Sequence, residues 1–238
     1  MAQEAVDDDA IVLGVTAVGD ADAVARLFLR AHGKVSVFAR RARASKRRFP
    51  SLSAPSVAQA RVREKSHTEL WELLLLDVDP CVFGFSLDPR TFGHASYVVE
   101  LLDRFVADGE CNASAFDLAS GALRTIGTTG ASSVVLRAFE LGLLHVLGWL
   151  PAPVIEDGAP CVAFDAQLGQ FLSQPTPTSR AFGDQALQVA RALLSAPSFA
   201  ALPCVDDDVL REVGVIFSSH MRRMGGTPLK SVAFLRSL

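Results

Sequence analysis

The sequence lacks a long apolar run that is free of charge. Its most apolar stretch, residues 134–150, carries Arg137, Glu140 and His145. Charges at those positions argue against a membrane span and favour a buried amphipathic helix. The first ten residues, MAQEAVDDDA, are acidic and polar, which is unlike the basic and then apolar pattern of a secretory signal peptide. We therefore expect a cytoplasmic protein that does not interact with membranes.

Cysteines at metal-binding spacing are missing too. The four cysteines stand far apart, at positions 81, 111, 161 and 204, whereas structural zinc sites use pairs that are separated by a few residues. A disulfide framework would be unusual in a cytosolic chain. We predict four mostly buried thiols, no bound metal and no cofactor.

Signatures of catalysis are also absent. The chain has no GxxxxGK[ST], no GxGxxG after a strand, no HExxH and no GxSxG, which excludes the common nucleotide, zinc-protease and hydrolase motifs. His145 lies near the apolar stripe of a predicted helix, so we expect it to be a hydrogen-bonded core residue. The acidic triplets at 7–9 and 206–208 are expected to be solvated or to cap helices rather than to hold Mg²⁺. The sequence predicts a protein that is not an enzyme.

Positive charge, by contrast, is concentrated in one segment of a chain whose net charge is −3. Between residues 26 and 65 the only acidic residue is Glu64. Arginine suits phosphate through its planar fork of donors, and cations packed so densely are best neutralised by a polyanion. We predict one continuous DNA-binding surface, and a solvated basic face is the alternative. Its predicted members are Arg26, Arg30, Lys34, Arg40, Arg41, Arg43, Lys46, Arg47, Arg48, Arg61, Arg63 and Lys65.

The first 80 residues predict short strands. Segments 10–18, 34–40, 55–64 and 69–78 are rich in strand-forming residues, and 23–30 is ambiguous between strand and helix. The turn at 31–33 resembles a hairpin turn with Gly33 at the positive-φ position. Gln59, Arg61, Arg63 and Lys65 alternate with other residues, which places cations on one strand face. Five strands suit an oligonucleotide-binding (OB) barrel. Three aromatic residues are candidates for base stacking or for the core: Phe38, Phe49 and Trp71.

The remaining chain predicts helices near 89–106, 114–125, 133–147, 185–195 and 207–224, with a short last helix that starts at Thr227-Pro228. Ser132 or Ser133 caps the third of them, and Gly148 ends it. Residues 151–184 have no sustained period, which indicates a long connection that holds at most a small hairpin. We predict an α+β protein in which an OB-fold domain, residues 1–80, precedes an α-helical domain, residues 81–238, with an irregular connection at about 150–184.

Three stretches carry a family resemblance: HGKVSVFARRARASKR at 32–47, LRAFELGLLHVLGW at 136–149 and GGTPLKSVAFLRSL at 225–238. Over nearly its full length the chain resembles the RecO family of bacterial DNA repair and recombination mediators. The resemblance implies an OB barrel, a helical domain and no catalytic turnover. It also implies binding of single- and double-stranded DNA and annealing of complementary strands. The implied partners are RecR, the acidic C-terminal tail of the single-stranded-DNA-binding protein and, indirectly, RecA, and the implied location is the bacterial nucleoid.

The chain departs from the family pattern at two places. Many members carry a four-cysteine zinc module after the 136–149 motif, and here the matching region offers Cys161 alone, so we expect the zinc module to be lost. Ala138 replaces an arginine that would receive the partner's acidic tail. Arg137, Arg222, Arg223 and Lys230 are the candidate substitutes. An interaction adaptor with incidental DNA contact is the alternative function, and a nuclease is a third.

Overall fold

The computed structural model describes residues 4–45, 47–65, 70–86, 88–151, 163–165, 167–225 and 228–238. The chain divides into two compact units. The first unit comprises Met1–Ala131 together with Leu229–Leu238, and the second comprises Ser132–Pro228. The predicted domain boundary at residue 80 therefore falls inside the first unit, at the end of its barrel.

The barrel consists of five strands. They are β1 (Ala5–Val18), β2 (Asp22–Leu29), β3 (Gly33–Ala39), β4 (Ser56–Arg63) and β5 (Leu70–Val78). The strands close in the order β1-β2-β3-β5-β4, in which β3 and β5 form a parallel pair. This OB-like barrel, followed by helices, confirms the predicted α+β class, and the ambiguous segment 23–30 is strand β2.

Alternating small and branched side chains fill the barrel. Ala58, Ala60 and Val62 of β4 point inward and are buried, while Gln59 and Arg61 are exposed, as expected from the two-residue period of a strand. Alanines on β2 and β4 leave room for Leu73 and Leu76 of β5 in the same core. The predicted strand face of β4 is therefore confirmed.

Strand β1 begins at Ala5, earlier than the predicted residue 10. The triplet at 7–9 lies on this strand, where Asp7 and Asp9 are exposed, as predicted for solvated aspartates, and Asp8 is partly buried. Asp7 faces Arg61 of β4 across the ladder, and Asp8 accepts a hydrogen bond from the backbone N–H of Ala31 at 3.1 Å. Cross-strand partners of opposite charge compensate for the poor strand propensity of aspartate.

The α-helices in the described ranges are α1 (Pro89–Phe105), α2 (Ala113–Thr129), α3 (Ser133–Val146), α4 (Asp184–Ser195), α5 (Asp207–Gly225) and α6 (Lys230–Arg236). In the first unit the side chains of Asp88 and Asn112 cap α1 and α2 by accepting backbone N–H bonds. The carboxylate of Glu100 on α1 accepts the N–H groups of Lys230 at 2.8 Å and Ser231 at 2.9 Å. Helix α6 is thereby fixed to α1.

A pair of glycines allows α2 to approach the 3₁₀ helix at Pro80–Ser86. A Cβ atom added to Gly127 would overlap the carbonyl oxygen of Cys81, and one added to Gly84 would overlap the carbonyl oxygen of Gly127. Backbone therefore packs directly on backbone at this contact, and only glycine fits there.

The second unit packs α3, α4 and α5 with a small sheet. Its strands β6 (Ala163–Asp165), β7 (Gln170–Leu172) and β8 (Arg180–Ala181) are arranged in the order β7-β6-β8. The ring centroid of Phe171 lies 4.9 Å from that of Phe164 and 5.2 Å from that of Phe182. Aromatic packing thus holds the described part of the predicted irregular connection, while Cys161 and its neighbours at 152–162 lie outside the described residues.

Several predictions about single residues were wrong. Cys111 and Cys204 are exposed, because both lie in loops between helices rather than on buried helix faces. His145 is exposed in the last turn of α3, and among the histidines that the structure describes the buried one is His220.

The start of the last helix was also predicted wrongly. Helix α6 begins at Lys230, two residues after Pro228, because Leu229 is extended and serves as its N-cap; Thr227 lies outside the described residues. Among the helices of the described chain, none is long and apolar enough to cross a membrane.

Candidate nucleic-acid interface

The twelve predicted DNA-binding cations separate into groups according to their contacts. One group lies on β2 and β3 and in the turn between them, a second lies on and just after β4, and a third lies in the loop between β3 and β4. We call the third group, residues 40–48, the basic loop. Lys46 of this loop lies outside the described residues.

Arg26 of β2 and Arg30, directly after that strand, bind carboxylates of the same unit. One guanidinium nitrogen of Arg26 lies 2.9 Å from Asp103 of α1 and 3.2 Å from Asp108. Arg30 donates two bonds, of 2.7 and 2.8 Å, to the two oxygens of Asp117 on α2. This bidentate pairing raises the pKa of Arg30 and lowers the pKa of Asp117. These cations are therefore engaged by acids that lie far along the chain.

Lys34 is buried, with only 7% of the residue exposed. Its ammonium group donates to the carbonyl oxygen of Asp103 at 2.8 Å and lies 3.0 Å from the Asp108 carboxylate. The preceding Gly33 has a φ of +74°, and a Cβ there would overlap the backbone of Glu110. The Gly-Lys-Val element of the 32–47 motif therefore attaches the barrel to the loop after α1, and Lys34 is not accessible to phosphate.

The cations of β4 each face an acid. Arg61 pairs with both oxygens of Asp7 at 2.8 and 2.7 Å, and the bond raises the pKa of Arg61 and lowers that of Asp7. Glu72 of β5 lies 3.6 Å from Arg63 and 3.9 Å from Lys65. The predicted ladder of cations is present, but it alternates with carboxylates instead of forming an uncompensated surface.

The basic loop differs from both other groups. Arg40, Arg41, Arg43 and Arg47 are exposed. Within the described ranges none of these four guanidinium groups forms an ion pair with a carboxylate. Arg48 is half-buried, donates to the carbonyl oxygen of Arg40 at 2.8 Å and stacks 5.0 Å from the ring centroid of Phe49. Four arginines therefore remain available to an external anion on one loop.

The basic loop is attached to the barrel at both ends. The backbone N–H of Arg41 donates to the Asp22 carboxylate at 2.7 Å, and that of Arg43 donates to the carbonyl oxygen of Ala21 at 3.0 Å. At the other end Phe49 is buried in the barrel core, and Leu76 of β5 donates its N–H to the carbonyl oxygen of Arg48 at 3.0 Å. The loop is a defined part of the barrel surface.

The three aromatic candidates for base stacking have different surroundings. Phe49 is only 3% exposed and belongs to the barrel core. Its interpretation as a base-stacking platform was therefore wrong. Trp71 is half-buried and packs against the barrel core, with the ring centroid of His32 at 5.6 Å. Phe38 is half-buried on β3.

The residues predicted to bind a partner's acidic tail are divided between the two units. Arg137 is mostly buried and lies 2.7 Å from the fully buried carboxylate of Glu140, and Ala138 beside it is also buried. Arg222 and Arg223 are exposed near the end of α5 in the second unit. Lys230 belongs to the first unit, where it lines an open groove of about 550 Å³. Sequence proximity to the family motif did not reveal that Arg137 is already paired.

Models of two protein-family domains match almost the whole chain. "Recombination protein O N terminal" matches residues 1–74, and "Recombination protein O C terminal" matches residues 86–232. The chain belongs to the RecO family. The family assignment predicted from the three motifs is thus confirmed.

Named members of the RecO family resemble the chain at moderate identity. "DNA repair protein RecO" of Geobacter sulfurreducens is 30% identical over 239 residues, which cover 97% of this chain and 97% of that protein. Its counterpart in Pelobacter propionicus is 28% identical over 243 residues, covering 96% and 95%. That of Anaeromyxobacter dehalogenans is 37% identical over 172 residues, covering 68% of this chain and 66% of that protein.

Sequence reasoning missed the acids that neutralise the RecO cations. Asp103, Asp108 and Asp117 lie 77 to 87 residues from the arginines they bind, and nothing in the linear pattern connects them. Asp22 had a weak signal, since it opens a strand directly after a turn. The basic loop itself was predictable from composition alone.

Proposed function

We propose that this chain is a DNA repair and recombination mediator that binds single- and double-stranded DNA through the basic loop. The observation that carries the proposal is the set of four exposed loop arginines without a carboxylate partner in the described chain, in a member of the RecO family. Guanidinium groups contact phosphate oxygens irrespective of base, so binding depends little on DNA sequence.

We also propose strand annealing, which the exposed loop arginines support. The loop arginines neutralise phosphates of one strand, which lowers the repulsion that a second strand meets. The cations on β2, β3 and β4 already have carboxylates beside them, so they add little net positive field. The loop therefore supplies most of the attraction. We assign no catalytic step to the protein, which acts by binding.

The partners we propose are those that the family resemblance implies. They are RecR, the acidic tail of the single-stranded-DNA-binding protein and, through loading, RecA, in the bacterial cytoplasm. Arg222 and Arg223 are exposed and suit a tail carboxylate better than Arg137, whose guanidinium is occupied by Glu140. Lys230 is a separate candidate on the other unit.

The salt dependence of binding tests the role of the loop. If the four loop arginines each contact one phosphate, the logarithm of affinity for single strands falls with the logarithm of salt at a slope of roughly −3. The double variant R43A/R47A should flatten this slope by about 1.4. The matched control R61A/R63A removes the same charge from residues that are already paired, and it should leave the slope nearly unchanged. Fluorescence anisotropy with a labelled oligonucleotide measures both.

If the two double variants gave equal slopes of log affinity against log salt, the basic loop would not be the DNA-binding site. Negligible DNA binding by the wild-type protein at low salt would favour the interaction adaptor instead. One observation supports that second candidate, because the groove near Lys230 presents the half-exposed rings of Phe92 and Phe234, which are suited to an apolar side chain of a partner.

A further inference from the structure

One carboxylate of the barrel lies beside the basic loop without binding any of its guanidinium groups. Asp22 is the first residue of β2, and its side chain accepts the backbone N–H of Arg41 at 2.7 Å. A carboxylate close to a phosphate-binding loop opposes DNA binding through its charge. Its contact with the loop backbone indicates a different role.

The bond falls at the most constrained point of the loop. Arg41 has a φ of +55°, a left-handed conformation that costs a residue with a Cβ roughly 1–2 kcal/mol. Such a conformation persists only when surrounding contacts hold it. The Asp22 carboxylate supplies one of these contacts, and a charged acceptor makes a stronger bond to an N–H than a neutral one.

The remaining bonds of the loop depend on this turn. The carbonyl oxygen of Arg41 accepts the N–H groups of Ala44 at 3.2 Å and Ser45 at 3.0 Å. Ser45 in turn accepts the guanidinium of Arg48 at 3.2 Å and the N–H of Phe49 at 3.1 Å. The direction of the chain at Arg41 therefore determines where Arg43 and Arg47 are presented.

We propose that Asp22 is a positioning residue for DNA binding, which orders the basic loop in the shape that presents its arginines to a phosphodiester backbone. This inference rests on the proposed function. A loop that is already ordered loses little conformational entropy when it binds DNA. Its affinity for DNA is therefore higher, even though the carboxylate adds a negative charge. The positioning effect and the charge effect of Asp22 thus have opposite signs.

That opposition gives a direct test with full-length protein and a labelled oligodeoxythymidylate. The variants D22A and D20A remove the same charge from neighbouring positions, and Asp20 is exposed with no bond to the loop in the described residues. Charge alone makes both variants bind DNA slightly more tightly than wild type. Loss of positioning makes D22A bind about tenfold more weakly than D20A at low salt. D22N keeps an oxygen that accepts the Arg41 N–H, so it should bind DNA like D20A.

A second readout reports the loop without DNA. Trypsin cleaves after arginine, and cleavage between residues 40 and 48 should be several-fold faster in D22A than in D20A, with D22N close to D20A. Thermal unfolding is measured for each variant. If D22A is not folded, D22V takes its place in both assays, because valine suits a strand position and also lacks the oxygen that accepts the Arg41 N–H.

Equal DNA affinity and equal cleavage for D22A and D20A would overturn the positioning role, as would D22N behaving like D22A. If the cleavage difference appears but R43A/R47A binds DNA like wild type, Asp22 does order the loop, and the proposed role of the loop in DNA binding is wrong. The two failures are therefore distinguishable.

Discussion

Lys34 and Arg43 belong to the same basic segment, yet their surroundings give them different roles. The ammonium group of Lys34 is almost fully buried between Asp103 and Asp108, whereas the Arg43 side chain is exposed on the basic loop. Burying a charge is tolerated only when partners compensate for its lost hydration. Lys34 is therefore a structural residue, and Arg43 is available to a ligand.

Truncation of Lys34 tests this division. Variant K34A removes the ammonium donor to the carbonyl oxygen of Asp103 and leaves Arg26 alone beside the carboxylates of Asp103 and Asp108, so we expect the free energy of unfolding to fall by about 2 kcal/mol. K65A removes the same charge from an exposed side chain and should change stability by less than about 0.5 kcal/mol. Urea denaturation measures both. If K34A were as stable as wild type but bound DNA more weakly, Lys34 would be a DNA-binding residue and not a structural one.

His220 predicts how the stability of the second unit varies with pH. Its ring is buried, and desolvation lowers its pKa below the ordinary value of 6.5. Its Nε2 atom lies 2.9 Å from the carbonyl oxygen of Trp149, and the charge of Arg223 also disfavours protonation. Below pH 6.5 the unfolded chain takes up a proton that the folded state resists. Stability is therefore complete above that pH and declines as the pH falls toward the lowered pKa.

Denaturation curves between pH 7.5 and 5 check the expected decline. H220Q removes the titrating group and should flatten the dependence, although its stability at pH 7.5 will be lower because the ring fills a buried site. The exposed His145 is the control, and H145Q should retain the slope of the wild type. A wild-type curve that is flat over this range would contradict the assignment.

Residue types alone predicted the basic loop but not the neutralised cations. Charge density in the linear sequence identified residues 40–48 correctly as a cationic segment. The same criterion included Arg26 and Arg30, whose acidic partners come from α1 and α2. Aspartates at those helical positions look like ordinary surface charges until the fold brings them to the barrel.

At the scale of elements, the contact between α2 and the 3₁₀ helix depends on glycine. The G127A variant places a methyl group against the carbonyl oxygen of Cys81, and backbone cannot move aside as a flexible side chain can. We expect a loss of about 1–3 kcal/mol in unfolding free energy, as for overpacked cores. G14A in β1 is the control, because nothing lies within 4 Å of an added Cβ there. Calorimetry should show a lower Tm for G127A alone.

Helices and strands followed from local signals where those signals were strong. Ser132 accepts the N–H of Val135 and caps α3 as predicted, and Gly148 after it has a φ of +71°. The start of β1 was missed because three aspartates disfavour a strand, and only their partners on β4 and in the 31–32 turn explain it. Tertiary pairing overrode local propensity at that element.

At the scale of the whole molecule, charges of the two signs meet within the first unit. The net charge of −3 conceals a basic barrel region in which the cations outside the basic loop lie beside carboxylates of the same unit. The family was predictable from its three motifs, and the fold class was predictable from the number of strand segments and helix patterns in the sequence. The division of the chain into units was not, since it depends on a last segment that packs far from its sequence neighbours.

The return of Leu229–Leu238 to the first unit has a consequence during synthesis. Ribosomes add roughly 5–20 residues per second, so α6 emerges on the order of ten seconds after the α1 surface that it covers. Throughout that interval the apolar face around Phe92 and Val99 has no cover from Phe234. The second unit can fold during this interval. Until α6 is synthesised, this apolar surface of the first unit stays exposed to chaperones and to neighbouring chains.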